Sequence, residues 1–343
     1  MIMERSIVSI GSIILLGGTL LSCGGGGGDG LSITAGGEAS AISVSSNNDI
    51  PAGPTFAELM ASSAEADSTG TVIDSAVSGL RYKSGEHYGI TDSEGNFGYI
   101  QGETIEFFVG GIRIGDAIEP VARVTPYELA SGNTETAMNI ARVLQTLDND
   151  ADPENGIQIN DAVHNLAEGK TLDFGGSGWP GTELGHLVRV DGEWIEERTD
   201  VELLVSELTS ATEAGARNLL SASSAMSHLS FALLEIILSL AAEAESVLGA
   251  STCETDSQCQ ITQLSNIPRS CSLGYENVAY SEVDADLPTF ELLEAQRVYL
   301  IDMREKLTRS VWGPDNSRGS CVISWKPTWA ICGETNHCEM TSS

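Results

Sequence analysis

Apolar and polar positions alternate differently in successive stretches of this 343-residue chain. Residues 7–16, IVSIGSIILL, are almost continuously apolar. From Gly24 to about Gly70 the chain is Gly-, Ser-, Ala- and Asn-rich and carries few large apolar residues, too few to offset the entropy of ordering it. That composition predicts a flexible tether, with at most a short helical turn at Phe56, Leu59 and Met60. From 71 to 124, short apolar runs alternate with polar residues and are broken by Gly-containing turns. Strands are predicted at 71–74, 77–82, 88–91, 96–100, 104–109 and 112–114, with turns at 92–95 and 101–103.

After Pro126 the period lengthens. Ala137, Ile140, Ala141, Leu144 and Leu147 recur at helical spacing behind Asn133 or Thr134, either of which suits an N-cap. Shorter helical patterns cover 160–168, 201–208 and 212–220, and residues 174–181 read as a loop. The longest helix starts at Ser221 or Ser223 and runs to about Leu248, with Gly249 as its stop. Glu235 and three serines interrupt its apolar face, so it reads as a buried core helix rather than a membrane span. A last helix is expected over 287–309. The chain is therefore expected to be α+β, with a small N-terminal β-sandwich, a central helical region and a disulfide-stapled helical C-terminal module. The segments are 1–22, 23–70, 71–125, 126–250 and 251–343.

Composition adds two constraints. Asp and Glu number 49 against 17 Lys and Arg, a formal net charge of −32. Such a surface repels nucleic acid and attracts divalent cations and basic partners. Seven cysteines are an odd number, but Cys23 stands alone near the N-terminus. The other six, Cys253, Cys259, Cys271, Cys321, Cys332 and Cys338, all lie after residue 250. An even set confined to one segment predicts three disulfides and an oxidising compartment. Their spacing is nearly a mirror image, with five and eleven residues between the first three and ten and five between the last three. The bridges are expected to pin both flanks to the helix between them; the pairing is left open.

The stretch Leu20-Leu21-Ser22-Cys23 closes the leader and precedes five glycines. It resembles the lipobox of bacterial lipoprotein signal peptides. The resemblance implies that Cys23 is diacylated and becomes the mature N-terminus, which anchors the chain to a membrane through acyl chains. Gly24 stands where an inner-membrane retention aspartate would be, which implies the outer membrane. The run 89–99, GITDSEGNFGY, resembles a turn of transthyretin-like or carboxypeptidase-regulatory-like modules, which act as spacers or binding domains. The cysteine layout is similar to cysteine-rich tails of other predicted bacterial lipoproteins, which carry no assigned activity.

One stretch offers metal chemistry. Asp148, Asp150, Asp152 and Asn155 alternate along a loop that ends at Gly156, and side chains so placed can converge on one hard cation. The stretch resembles the start of calcium loops of the EF-hand or thrombospondin-repeat kind. It departs from the EF-hand in having Pro153 after Asp152 and Ile159 at the twelfth position. Calcium is thus the one cofactor with an expected site. No G-x-S-x-G, S-x-x-K or HExxH pattern occurs, and the five histidines do not pair at ligand spacing. Three functions follow from these features. The first is a lipid-anchored envelope lipoprotein with a non-enzymatic binding or structural role toward a protein or glycan. The others are an exported hydrolase of envelope or extracellular polymer and a calcium-dependent adhesion protein.

Overall fold

A computed structural model describes residues 54–176, 179–180, 186–190, 193–197, 199–266, 274–313 and 328–342. Cys23 and the leader, and Cys271 and Cys321, lie outside the described residues. The fold is α+β, as the periodicities predict.

Helix α1 (Phe56–Ala61) starts at Thr55, whose hydroxyl and the Glu58 carboxylate cap each other's backbone reciprocally. Two small sheets follow. Strands β1 (Ser68–Val72), β2 (Val77–Ser78), β3 (Arg81–Ser84), β4 (His87–Ile90), β5 (Asn96–Tyr99), β6 (Ile105–Val109), β7 (Ile112–Arg113) and β8 (Arg123–Val124) come in that chain order. One sheet has the order β4-β3-β6-β7 and the other β5-β1-β8, with β8 parallel to β1. They face each other through rings. Phe97 of β5 meets Phe107 of β6 edge-on, centroids 5.2 Å apart, and Tyr82 of β3 at 6.0 Å. The turn between β4 and β5 is built by Asp92, whose Oδ1 accepts from the Glu94 and Asn96 amides.

Helices supply the rest of the core. Helix α2 (Pro126–Leu129), too short for a periodicity to register, precedes α3 (Thr134–Thr146). Asn133 caps α3 by accepting from the amides of Glu135 and Thr136. The loop after α3 returns as β9 (Ile157–Gln158), which pairs in parallel with β2 and ties the helix end to the sheets. Gly79, at φ 83°, lies so close to the Ile159 carbonyl that a Cβ would meet it at 2.1 Å, so only glycine fits. Helix α4 (Asp161–Ala167), the hairpin of β10 (His186–Val190) and β11 (Glu193–Glu197), and α5 (Asp200–Thr209) follow.

The helix expected over 212–220 does not form. Instead Gly215 adopts a φ of 78°, and Arg217 spends its guanidinium on carbonyls elsewhere. Those bonds hold the chain in an extended approach to α6 (Ala222–Val247), which Ser221 caps.

Helix α6 packs along α7 (Leu287–Trp312). Leu229, Leu233, Ile237 and Leu240 of α6 are buried, as are Leu293, Leu300 and Leu307 of α7. By length and composition α6 is the one helix among the described residues able to cross a membrane. Its apolar face joins the same hydrophobic cluster as Val72, Phe107 and Leu144, so sheets and helices share one core.

The cysteine segment adds two ribbons that no periodicity singled out. Strand β12 (Cys259–Asn266) pairs with β13 (Gly274–Ser281), and β14 (Thr328–Cys332) with β15 (Cys338–Ser342). Bridges Cys253–Cys332 and Cys259–Cys338 are interleaved, each spanning a separation of 79 residues. They fasten the two flanks to each other rather than to α7, because α7 already spends its apolar face on α6. The half-cystines Cys253, Cys259 and Cys338 form their own small buried cluster beside Ala279 and Ala330. A layer this thin has little else to bury, which is the usual setting for disulfides.

Candidate functional site

Polar groups concentrate where α3 ends and α6 begins. The buried face of α3 carries Asn139, Arg142, Gln145 and Thr146 among its apolar residues. Buried polar groups need partners, and each of these finds at least one across the chain. The Asn139 amide donates to the Phe174 carbonyl, and Arg142 Nε to the Leu220 carbonyl at 2.7 Å. Thr146 accepts from the Leu220 amide. Gln145 Nε2 donates to both carboxyl oxygens of Asp74, at 2.9 and 3.1 Å. Asp74 is fully buried, and that burial pushes its carboxyl up to about 8 against the opposing effect of Gln145. It is therefore a protonated, neutral group below that pH.

Next to Asp74, Ser75 sits in the left-handed region at φ 62° and places its Oγ 2.9 Å from His228 Nε2. Burial pushes the His228 imidazole down, partly offset by the Asp74 main chain and by the charges of Glu154 and Asp152. The imidazole opens on a cleft of about 620 Å³. Asp152, Glu154, Arg217, Ser227 and Phe231 line it with His228. Arg217 also closes the end of α3. Its Nε donates to the Thr146 carbonyl at 2.9 Å, and its Nη2 to the Asp148 carbonyl.

The expected cation loop is partly assembled. Asp148 is fully buried, and its Oδ1 accepts from the Gln158 amide at 2.8 Å. Its Oδ2 is buried with no hydrogen-bond partner among the described residues. Desolvation, and then the facing carboxylate of Asp150, push the Asp148 carboxyl above its ordinary range. Asp150 is exposed, accepts from Asn155 Nδ2 at 3.0 Å and from the Asp152 amide at 2.9 Å, and is held below the carboxylate range by those bonds. Asp152 diverges. Ala151, at φ 66°, turns the chain there, and the Asp152 side chain joins the cleft wall beside His228. Asp148 and Asp150 are thus brought together, Asn155 braces Asp150, and Asp152 stands apart.

The remaining residues singled out by the sequence are dispersed. His164 bridges the Gly110 amide and the Gly79 carbonyl, which occupies both ring nitrogens. His337 faces the Ala250 carbonyl. Cys253, Cys259 and Cys338 cluster closely, but Cys332 completes their disulfides and leaves no thiolate for a metal. Arg217, Asp74 and Ser75 carried no motif. Their one sequence signal is indirect, the polar residues on the buried face of α3. Comparison with known proteins adds no assignment: no family model, curated protein or solved structure matches the chain.

Proposed function

We propose that this chain is a lipid-anchored exported lipoprotein of the outer membrane that binds a protein or glycan ligand without chemistry. The observation that carries this reading is the pair of interleaved bridges, Cys253–Cys332 and Cys259–Cys338. Disulfides of this kind persist outside the reducing cytosol. Export in turn gives the apolar leader and Cys23 a purpose, and removing Cys23 to the lipid leaves an even cysteine set. The cleft by His228 supplies a concave surface that sets the Asp152 and Glu154 carboxylates among apolar area that includes one exposed ring, Phe231, suited to a hydroxylated or basic ligand.

Mass spectrometry of membrane-fraction protein tests the anchor. The expected mature terminus is an acylated Cys23, and Cys23→Ser should leave the protein unacylated and out of the membrane fraction. An unmodified, soluble wild-type protein would sink the reading.

A hydrolase is the second reading, favoured by the Ser75–His228 contact, whose imidazole opens on a cleft lined by Asp152 and Glu154. A neutral imidazole near a serine hydroxyl is the start of a nucleophile–base pair. Treatment with a fluorophosphonate probe separates the two readings. Labelling that disappears in Ser75→Ala would establish the hydrolase, and the binding reading expects no labelling.

A further inference from the structure

We propose that Asp148 and Asp150 form a divalent-cation site at the end of α3, with calcium as the fitting ion and Asp152 excluded from it. Three observations converge. The Asp148 carboxyl is fully buried, and its Oδ2 faces Asp150 with no donor to satisfy it among the described residues. Two carboxylates so placed, one of them buried, are held together by a shared proton or by a cation, and in this proposal calcium takes that place. Both oxygens of Asp150 are already oriented, by Asn155 Nδ2 and the Asp152 amide, so its carboxylate is held toward Asp148. The donor set is all oxygen, with neither thiolate nor imidazole in it, which selects hard cations over zinc or copper.

The nearest fixed positive charge, Arg217, does not fill this role. Its Nη2 donates to the main-chain oxygen of Asp148, its Nη1 to Thr212 and Gly215, and its Nε to Thr146. Two carboxylates with water completing the shell suit the weak extracellular class of calcium site, with a Kd of about 10⁻⁴ to 10⁻³ M. Bound there, the ion would clasp residues 148–150, and the same loop carries Asp152 and Glu154 into the cleft wall. The inference stands apart from the lipid anchor and holds whether or not Cys23 is acylated.

Calorimetric titration of the full chain with calcium chloride, after removal of bound metal by chelation, tests it. Sodium chloride at matched ionic strength serves as the control. One saturable site is expected, weakened at least tenfold in Asp148→Asn and in Asp150→Asn and unchanged in Asp152→Asn. Asparagine at 148 keeps an acceptor for the Gln158 amide and gives Asp150 a donor in place of the ion, so that variant is expected to fold. The exposed Asp150 gives a second variant that does not disturb the core. Absence of saturable binding in the wild type would overturn the proposal. So would equal binding in both 148 and 150 variants, which would assign the ion to the acidic surface at large.

Discussion

Replacing Asp74 with asparagine should flatten a loss of stability that the wild-type chain suffers between about pH 4 and pH 8. In the unfolded chain this carboxyl ionises near 3.9. In the folded chain burial holds it protonated up to about 8. Between those values the native state binds one more proton than the unfolded state, so stability falls as pH rises and levels off above about 8. Linkage sets a ceiling of about 1.4 kcal/mol for each pH unit in that window. Relaxation and water entry reduce it, and we expect ~2–3 kcal/mol across the window.

Asparagine mimics the protonated acid: it accepts from Gln145 and cannot ionise. Urea unfolding at pH 4, 7 and 9 should therefore give nearly equal stabilities for the two proteins at pH 4. The variant should be the more stable at pH 9. Because every other titrating group is common to both, the difference isolates Asp74. Parallel curves would mean that the carboxyl is solvated and ionises normally.

Loss of both Cys253–Cys332 and Cys259–Cys338 should cost more than the sum of the two single losses. Each bridge alone closes a loop of about 80 residues, a chain-entropy contribution of about 4.5 kcal/mol. With one bridge in place, the other closes only a small ring through residues 253–259 and 332–338. That ring of about 14 residues is worth ~3 kcal/mol. Either pair changed to alanine should thus cost ~3 kcal/mol, and all four changes together ~7 kcal/mol. That total rivals the whole stability of an ordinary domain. Amide protection in β14 and β15, followed through a urea titration, reports the effect where it acts. If the double loss only equals the two single losses added together, the bridges stabilise separate parts of the chain and do not share a ring.

The main helices were legible because their apolar spacing continues for many turns. The Asn133 cap, the Ser221 start and the Gly249 stop fall where residue chemistry places them. The strands of 71–113 were legible from alternation and glycine turns, and the facing of Phe97 and Phe107 turns them into two packed sheets; β1, however, begins at Ser68, inside the stretch read as tether, because its pairing with β5 orders residues whose own composition does not. What escaped was set by distant contacts. Nothing local shows that residues 212–220 forgo a helix so that Arg217 can reach the end of α3, some 70 positions earlier. The Ser75–His228 contact joins residues 153 apart. The acidic loop was visible as a ligand-bearing pattern, but its membership depended on one backbone angle, the positive φ of Ala151, which sends Asp152 to the other side. The cysteine count was informative, while the partners followed from two ribbons whose strands, though up to eight residues long, are rich in polar residues and show no clear alternation.

The interleaving of the two bridges has a consequence for survival among proteases. Any single cut between Cys259 and Cys332 falls inside a stretch whose two ends are joined covalently twice over, Cys253 to Cys332 and Cys259 to Cys338. Helix α7 lies in that stretch. A nick there would free neither fragment. The severed halves would stay in register on α6 and could close again around the break. The C-terminal part of the chain therefore behaves as a clasped ring, one that can lose a peptide bond without losing its shape.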